Sequence, residues 1–484
     1  MKLRSIVLLL GMSVLMICCR DAAIMTDDPK STLSDIAIIN WSLDSIAVEP
    51  KPHSYITWQI SNNSNSDWAP NDWSIHFNQI AGGVIAESIP AHIDVENPGG
   101  GYVILNFDSS TDTLKAGEDM SFSYKQNGYI ERMSNVPAGI FIRYNDETHD
   151  IADVNIAGVN HETLQALNPT DAKQRYQNAK NLATQDYDQV VRILPAPVEM
   201  DLDYDKTITL SSPLTISLPK EMTDSERDVI TDHLSTYAKV NASGSREATV
   251  ESEVDDNLGS EHYTIVIDPE GEIQIKGGDA AGVFYGFQSL VQLLDPKTIQ
   301  SDGDLTIPTG TISDSPRFEY RGYMLDVARN FHKKDKVLEV LDLMSMYKLN
   351  KFHFHLMDDE GWRLEIPGLP ELTEVGGTRG YTPDESDRLH PAYGSGGDAD
   401  NSYSTGYYTR QDYIDILQYA AARHIEVIPE IDLPGHARAA IIAMRARYNR
   451  LIAAGKKEAA EEYLLHDPEA VSYTHLTLPT IYSV

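Results

Sequence analysis

The sequence predicts a multidomain protein with an N-terminal β-sandwich, a small α+β domain and a parallel βα sheet, in that order. Its 484 residues exceed what one ordinary core holds, at roughly 150 residues per domain. Residues 36–150 alternate short apolar-aromatic runs with turn residues, which is typical of a sandwich. From about residue 318, strand-like and helix-like segments alternate instead, which indicates parallel strands joined by helices.

Composition and charge restrict the partners of the chain. A hydrophobic content of 41% and a charged fraction of 23% are those of a globular protein. The formal net charge of -34 disfavours nucleic acid and anionic membrane surfaces as partners, because both would repel the chain. Neutral or cationic ligands remain, and sugars are neutral.

The first 19 residues have the pattern of a secretion signal. Lys2 and Arg4 precede an apolar run at 5–17 that is too short to span a bilayer. Cys18 and Cys19 follow it, as at the lipidation site of a bacterial lipoprotein. We therefore expect an exported protein, periplasmic or anchored to the outer membrane through Cys18 or Cys19; an ordinary signal peptide is the alternative. The remaining chain has no cysteine, which excludes disulfides and thiolate metal sites there.

Residues 36–150 are predicted to form the β-sandwich. Runs such as SYITWQI, GYVILNF and GIFIRY have strand character, and Gly-, Asn- and Pro-rich joints separate them. Trp58, Trp68 and Trp73 belong either to the core or to a surface that stacks on sugar rings. The second reading would make the protein a non-catalytic surface glycan binder. Residues 151–188 are polar and rich in Gln, Asn and Ala, which predicts a partly helical linker.

Residues 189–315 are predicted to form the α+β domain. Strand-like TITLSSPLTISLP is followed by a helix before which Thr223 and Glu226 have capping-box spacing. Two more strands, YTIVID and EIQIKG, then precede the amphipathic run AAGVFYGFQSLVQLL.

Residues 316–470 are predicted to form three βα units. The strand-like segments are 320–328 and 351–357, and 425–437 contains the third strand and the loop after it. The first helix has an apolar stripe with the spacing i, i+3, i+4, i+7, formed by Val337, Val340, Leu341 and Met344. The second helix, which Thr409 and Asp412 would cap, has a similar stripe formed by Tyr413, Ile416, Leu417 and Ala420.

Polar residues at the ends of these strands are the candidate site, because ligands of parallel βα sheets meet the carboxyl ends of the strands. The three strands bring acids, histidines and arginines: Arg321, Asp326 and Arg329; then His353, His355, Asp358 and Asp359; then Glu430, Asp432 and His436. The two histidines of the second strand alternate with phenylalanines, so both face the same side of the strand.

The residues alone leave two other sites open. Histidine and aspartate from adjacent strands could bind zinc or manganese, although no His-x-x-x-His helix supports this. Alternatively, Asp358 or Asp359 could work with Glu430 as a conventional pair of catalytic carboxylates, which requires a separation of roughly 5–10 Å across the substrate.

Two long segments resemble a known family. YRGYMLDVARNFHKKDKVLEVLDLMSMYKLNKFHFHLMDDEGWRLEI and IEVIPEIDLPGHA look like the first three strands of family 20 glycoside hydrolases, the β-N-acetylhexosaminidases. HYTIVIDPEGEIQIKGGDAAGVFYGFQSLVQLL is similar to the small α+β domain that precedes their barrel. Residues 36–150 resemble, more faintly, the carbohydrate-binding-type sandwich of bacterial chitobiases.

The resemblance implies a (β/α)8 TIM barrel, here incomplete, that removes terminal N-acetylglucosamine or N-acetylgalactosamine from glycans or chito-oligosaccharides without a cofactor or metal. The family is a substrate-assisted exception to two-carboxylate retaining catalysis. The acetamido oxygen of the sugar attacks the anomeric carbon. An adjacent Asp-Glu pair orients the acetamido group and protonates the leaving oxygen.

The resemblance also implies roles for particular residues. Arg321 would grip the 3- and 4-hydroxyls of the terminal sugar through its fork of donors. Asp358 and His436 would form a relay that orients and tunes the general acid. A supporting shell would comprise His355, Asp359, Glu430 and Asp432.

The Asp-Glu pair of the family does not follow PGHA in this sequence, and no adjacent Asp-Glu occurs in 437–484. Only 165 residues follow Glu319, against about 250 for a typical barrel. Residues 471–484 contain no acidic residue and are expected to be a non-native tail, with an ordinary fourth strand as the alternative. We therefore expect an inactive, C-terminally truncated fragment of a hexosaminidase.

Overall fold

Three main sheets follow one another along the chain in the computed structural model. It describes residues 33–47, 51–80, 82–130, 135–158, 172–181, 192–210, 214–238, 242–244, 249–294 and 305–463. The predicted signal with its lipidation site (1–19) and the predicted tail (471–484) lie outside the described residues. None of the described helices has the length and apolar character needed to cross a membrane.

The first sheet has eight strands: β1 (Leu33–Ala47), β2 (His53–Asn62), β3 (Trp73–Asn78), β4 (Ile93–Gly99), β5 (Tyr102–Phe107), β6 (Asp119–Asn127), β7 (Ala138–Tyr144) and β8 (Glu147–Ala157). A 3-10 turn covers Ala86–Ser88. The order is β4-β5-β3-β7-β8-β1-β2-β6, antiparallel except for the β1–β8 pair. The sheet folds over a single core, because Trp58 on β2 packs against Phe77 on β3 with ring centroids 5.1 Å apart, although β7, β8 and β1 separate those strands in the sheet.

The tryptophans of this domain are core residues. Trp58 and Trp68 are fully buried and Trp73 is 3% exposed. The indole of Trp58 donates to the Tyr124 hydroxyl at 3.1 Å, and the Trp73 ring stacks on Phe107. The reading of these rings as an exposed surface for sugars is therefore wrong.

The predicted start of the linker at residue 151 is also wrong. β8 continues to Ala157 and pairs in parallel with β1. Ile151 is buried, and Val154 and Ile156 pack against the sandwich core. The intervening Asp and Asn residues made this stretch look like a connector. Farther along, residues 172–180 form helix α1 (Ala172–Lys180), as expected for a partly helical segment.

The second sheet has seven strands: β9 (Glu199–Leu210), β10 (Leu214–Ser217), β11 (Ala242–Gly244), β12 (Val250–Val254), β13 (Tyr263–Ile267), β14 (Ile273–Gly277) and β15 (Leu305–Asp314). Their order is β11-β10-β12-β14-β13-β15-β9. Two helices, α2 (Asp224–Ala238) and α3 (Ala280–Leu293), pack together, with α3 on β13 and β14. The predicted capping box of α2 is confirmed: Glu226 accepts from the Thr223 backbone N–H at 2.6 Å, and Thr223 Oγ1 accepts from the Glu226 N–H at 3.3 Å.

The third unit is a parallel sheet of three strands in chain order: β16 (Gly322–Asp326), β17 (Lys351–His355) and β20 (Glu426–Glu430). A small hairpin follows β17, formed by β18 (Met357–Asp358) and β19 (Gly361–Trp362). The helices are α4 (Lys334–Met346), α5 (Glu371–Glu374), α6 (Arg410–Ala421), α7 (Arg438–Ala453) and α8 (Lys457–Glu461).

Alternation along β17 sorts its side chains between two faces. Phe352 and Phe354 are fully buried in the core that α4 and α6 share with the sheet, so His353 and His355 face the other side, as predicted. The predicted capping box of α6 is confirmed between Thr409 and Asp412. The assignment of Leu417 to the apolar stripe of α6 is wrong, because this side chain is 38% exposed.

Candidate active site

The last residues of the three parallel strands lie side by side. Asp326 on β16 is in register with His355 on β17, and His355 is in register with Glu430 on β20. The loop after each strand adds further polar groups to this edge of the sheet. We call the carboxyl end of this sheet the rim.

His355 is a charged imidazole held between two carboxylates. Its Nδ1 lies 2.6 Å from a Glu430 oxygen and its Nε2 lies 3.0 Å from an Asp358 oxygen. Burial opposes the charged form, but these two hydrogen bonds outweigh that effect and raise the pKa of His355 to about 9. At neutral pH both ring nitrogens therefore carry protons and donate.

Asp358 is the centre of the network. It is 1% exposed and forms an ion pair with Arg329, and its own oxygen accepts from the Asp359 N–H at 2.6 Å. Burial alone would raise its pKa, but the hydrogen bonds from His355 and Asp359 and the charge of Arg329 hold that pKa below its usual value. Asp358 is thus a buried acceptor that is ionised at neutral pH.

His436 completes the predicted relay. Its Nδ1 lies 3.1 Å from Asp358 Oδ1, so the predicted contact between these two residues is confirmed. The backbone of His436 has a φ of 55°, which costs a non-glycine residue free energy and is a feature of functional sites. Asp359 supports the same segment, because its Oδ1 accepts from the N–H of Arg438, the first residue of α7, at 3.0 Å.

The predicted position of Arg321 at the rim is wrong. Arg321 precedes β16 and lies at the opposite end of that strand, where its two terminal nitrogens bond both Glu261 oxygens at 3.0 and 2.9 Å. Its Nε donates to the Lys348 carbonyl at 2.7 Å. Glu261 belongs to the α+β domain, so this fork of donors joins two domains and is not available to a sugar at the rim.

Arg329 is the arginine that the rim does contain. It follows β16 and donates to Asp326 at 2.6 Å, forms an ion pair with Asp358, and lies 3.7 Å from Glu360. A quarter of its side chain remains exposed. The positions of the two arginines relative to the strand could have identified Arg329, because it follows the carboxyl end of β16 whereas Arg321 precedes the amino end.

The remaining acids of the rim differ in environment. Glu430 also bonds His353, at 2.7 Å, and its two histidine partners outweigh burial and lower its pKa. Sequence reasoning missed Glu360. Burial and the charges of Asp358 and Asp359 raise the pKa of this residue to about 7. Burial and the neighbouring Glu430 raise the pKa of Asp432. The acids of this one site thus differ in how readily they take up a proton.

Two groups of these residues have the spacing of metal ligands: His355 with Glu430 and Asp432, and Asp358 with Asp359 and His436. In the first group, both ring nitrogens of His355 already have carboxylate partners, Glu430 at 2.6 Å and Asp358 at 3.0 Å. In the second group, the guanidinium of Arg329 already provides the cation that pairs with Asp358. The geometry therefore favours a hydrogen-bond network.

The conventional carboxylate pair is also disfavoured by the geometry. The imidazole of His355 stands between Asp358 and Glu430 and bonds both of them. Asp358 has almost no exposed surface from which to attack a sugar. These residues can support and orient other groups, which is the predicted role of a supporting shell.

A parallel βα sheet with an aspartate, histidines and an arginine at its strand ends has the arrangement in which α/β folds bind polar ligands at that edge. Comparisons with known proteins give the family. The model of glycosyl hydrolase family 20, catalytic domain, matches residues 318–477, and that of glycosyl hydrolase family 20, domain 2, matches residues 190–315. The chain therefore belongs to glycosyl hydrolase family 20.

One relative extends this likeness to the sandwich, because the match covers 83% of the chain. The N,N'-diacetylchitobiase of Vibrio harveyi is 38% identical over 419 residues, which are 83% of this chain and 46% of that protein. The β-hexosaminidase of Vibrio vulnificus is 41% identical over 312 residues, 64% of this chain and 35% of that protein. The chain thus spans less than half the length of these two curated relatives.

A solved structure shares the arrangement of the domains. The crystal structure of the exo-β-N-acetylglucosaminidase of Vibrio harveyi in complex with N-acetylglucosamine has a TM-score of 0.67 and 25% sequence identity. The match covers 85% of this chain and 59% of that chain.

Proposed function

We propose that these residues are part of an exo-β-N-acetylhexosaminidase that hydrolyses terminal N-acetylglucosamine or N-acetylgalactosamine from glycans or chito-oligosaccharides. The hydrogen bond between buried Asp358 and His436, at 3.1 Å on the rim, carries this proposal. The named activities of the relatives support it. The three parallel strands would be the first of a (β/α)8 barrel.

In the proposed reaction, the acetamido oxygen of the substrate forms a bond to the anomeric carbon while the bond to the leaving oxygen breaks. A glutamic acid on a later strand gives its proton to that leaving oxygen, and an adjacent aspartate orients the acetamido group. Water then opens the oxazolinium-like intermediate and returns the proton to the glutamate. Because this Asp-Glu pair is absent from residues 437–484, we expect residues 1–484 alone to be inactive.

The rim residues would prepare the general acid for its proton transfer. His436 would bond the glutamate through its second ring nitrogen, because its Nδ1 is engaged by Asp358. The negative charge of Asp358 would hold the His436 ring in the orientation from which it bonds the glutamate. The charged His355 would in turn hold Asp358 in place.

Arg329, and not Arg321, would bind the hydroxyls of the terminal sugar. Its carboxylate partners fix the orientation of the guanidinium, and its exposed quarter opens on the rim. A fork of donors fixed in this way loses little conformational entropy when it bonds paired hydroxyls. The predicted export as a lipoprotein, with a substrate outside the cytoplasm, remains part of this proposal.

The test compares two hydrolyses by the product of the full open reading frame that contains these residues. An aryl N-acetyl-β-glucosaminide should be hydrolysed, whereas the β-glucoside with the same leaving group should not, because it lacks the acetamido nucleophile. Glu430→Gln should reduce turnover without abolishing it. Equal hydrolysis of both substrates, together with complete loss in Glu430→Gln, would support the conventional carboxylate pair instead. Turnover by residues 1–484 alone would refute the expected inactivity.

A further inference from the structure

Tyr393 is an exposed aromatic residue in a strained backbone conformation. It lies in the long loop between α5 and α6, is 42% exposed, and has a φ of 50°. Among the described non-glycine residues with positive φ, it is the only tyrosine, phenylalanine or tryptophan. A bulky side chain in this region costs about 1 kcal/mol or more, and such strain concentrates at ligand-binding sites.

Asn78 of the sandwich holds the backbone on both sides of Tyr393. Its Nδ2 donates to the Pro391 carbonyl at 2.8 Å, and its Oδ1 accepts from the Gly394 N–H at 3.2 Å. Asn78 is buried, so both bonds are shielded from water. A turn closes the loop locally, since the Ser395 N–H donates to the Ala392 carbonyl at 3.1 Å. The sandwich therefore fixes the conformation that presents this tyrosine.

The loop that carries Tyr393 is tied to the rim. Its Glu385 forms an ion pair with Arg438, whose backbone N–H donates to Asp359 of the rim at 3.0 Å. Burial and the charge of Glu360 raise the pKa of the Tyr393 phenol, so it stays protonated. An aromatic ring beside carboxylates and a guanidinium combines a hydrophobic face with hydrogen-bonding groups. That combination suits a sugar ring, which has apolar C–H faces and polar hydroxyls at its edge.

We propose that Tyr393 contacts a sugar ring of the substrate, and that Asn78 is a positioning residue through which the sandwich fixes this contact. The inference rests on the proposed function, because it assumes a glycan at the rim. It gives the sandwich a role in the reaction that does not require a sugar site on its own surface. The strained backbone conformation of Tyr393 would then serve substrate binding and would not stabilise the fold.

The test is saturation-transfer NMR with N,N'-diacetylchitobiose on residues 1–484. We expect Tyr393→Ala to weaken binding about 3- to 10-fold, and Tyr393→Phe to keep it, because the ring face remains. Asn78→Ala should weaken binding similarly, and Asn78→Gln should not restore it, since the longer side chain cannot bond both loop groups in the same geometry. The control is Tyr347→Ala, an equally exposed tyrosine at the end of α4 away from the rim.

A second measurement separates binding from folding. Tyr393→Gly should lower the melting temperature less than Tyr347→Gly does, while weakening binding, because glycine adopts the positive φ of residue 393 without strain, whereas Tyr347 has an unstrained φ of -90°. A larger fall than that of Tyr347→Gly would assign Tyr393 a structural role and overturn the proposal. Retained binding in Tyr393→Ala with loss in Arg329→Ala would overturn it but leave the rim site standing. The absence of saturation transfer in the unchanged chain would count against both the contact of Tyr393 with the sugar and the sugar site at the rim.

Discussion

Replacing His355 by glutamine tests whether the centre of the network is a charged imidazole. His355 is 2% exposed and bonds Asp358 and Glu430 through its two ring nitrogens. Glutamine is uncharged and keeps some hydrogen-bonding capacity, so the substitution chiefly removes the positive charge. Asp358 would keep Arg329, His436 and the Asp359 N–H as partners, which limits the damage to the fold.

The pKa of His355 sets the magnitude and the pH window. The rise from 6.5 to about 9 corresponds to at most about 3 kcal/mol of stabilisation of the folded state. Water at the open rim screens the Glu430 partner, so we expect about 1–3 kcal/mol. Because the folded pKa exceeds the unfolded one, this stabilisation is complete below about pH 6.5, declines as the pH rises, and disappears above about pH 9.

The assay is urea unfolding of the wild type and His355→Gln at pH 6 and pH 9.5. The loss of unfolding free energy should be about 1–3 kcal/mol greater at pH 6 than at pH 9.5. His262→Gln is the control, because that ring nitrogen lies 3.2 Å from the neutral Ser313 hydroxyl. An equal loss at both pH values would show that His355 is neutral in the fold and would refute the charged network.

Three further predictions concern other parts of the chain. Arg321→Ala should destabilise the protein by about 2–3 kcal/mol, because the half-buried Glu261 carboxylate loses its guanidinium partner. The same substitution should leave sugar binding at the rim unchanged in calorimetry. Glu360→Gln should raise the melting temperature more at pH 8 than at pH 5. The pKa of Glu360 is raised from 4.5 to about 7, so this carboxyl stabilises the folded state at low pH, and that stabilisation is lost as the pH rises from 4.5 through 7. Phe354→Ala, at a fully buried ring, should cost about 3–5 kcal/mol in urea unfolding.

Local signals in the sequence predicted much of the third domain correctly. Capping boxes at Thr409 and the alternation along β17 depend on neighbours within a few residues, and both are present. Parallel strands that end at one edge were enough to bring Asp358 and His436 together, although 78 residues separate them. The rhythm of strands and helices places both residues at this edge, and the resemblance to the family implied their pairing.

The errors have a common physical origin in strand boundaries and distant contacts. The predicted strand at 320–328 is longer than β16, which obscured that Arg321 and Arg329 flank its two opposite ends. β8 continues beyond residue 150 because β1, more than a hundred residues earlier, pairs with it. The position of Tyr393 depends on Asn78, which lies in another domain, so no local pattern predicts it.

The hydrolytic rate of Asp358→Asn in the full gene product tests the central claim most directly. Asparagine keeps the size of the side chain but removes the charge that holds His355, Arg329 and His436. The account predicts that kcat for N,N'-diacetylchitobiose falls by about 100-fold or more, while the melting temperature changes by only a few degrees. A kcat within threefold of the wild type would show that the relay does not serve catalysis.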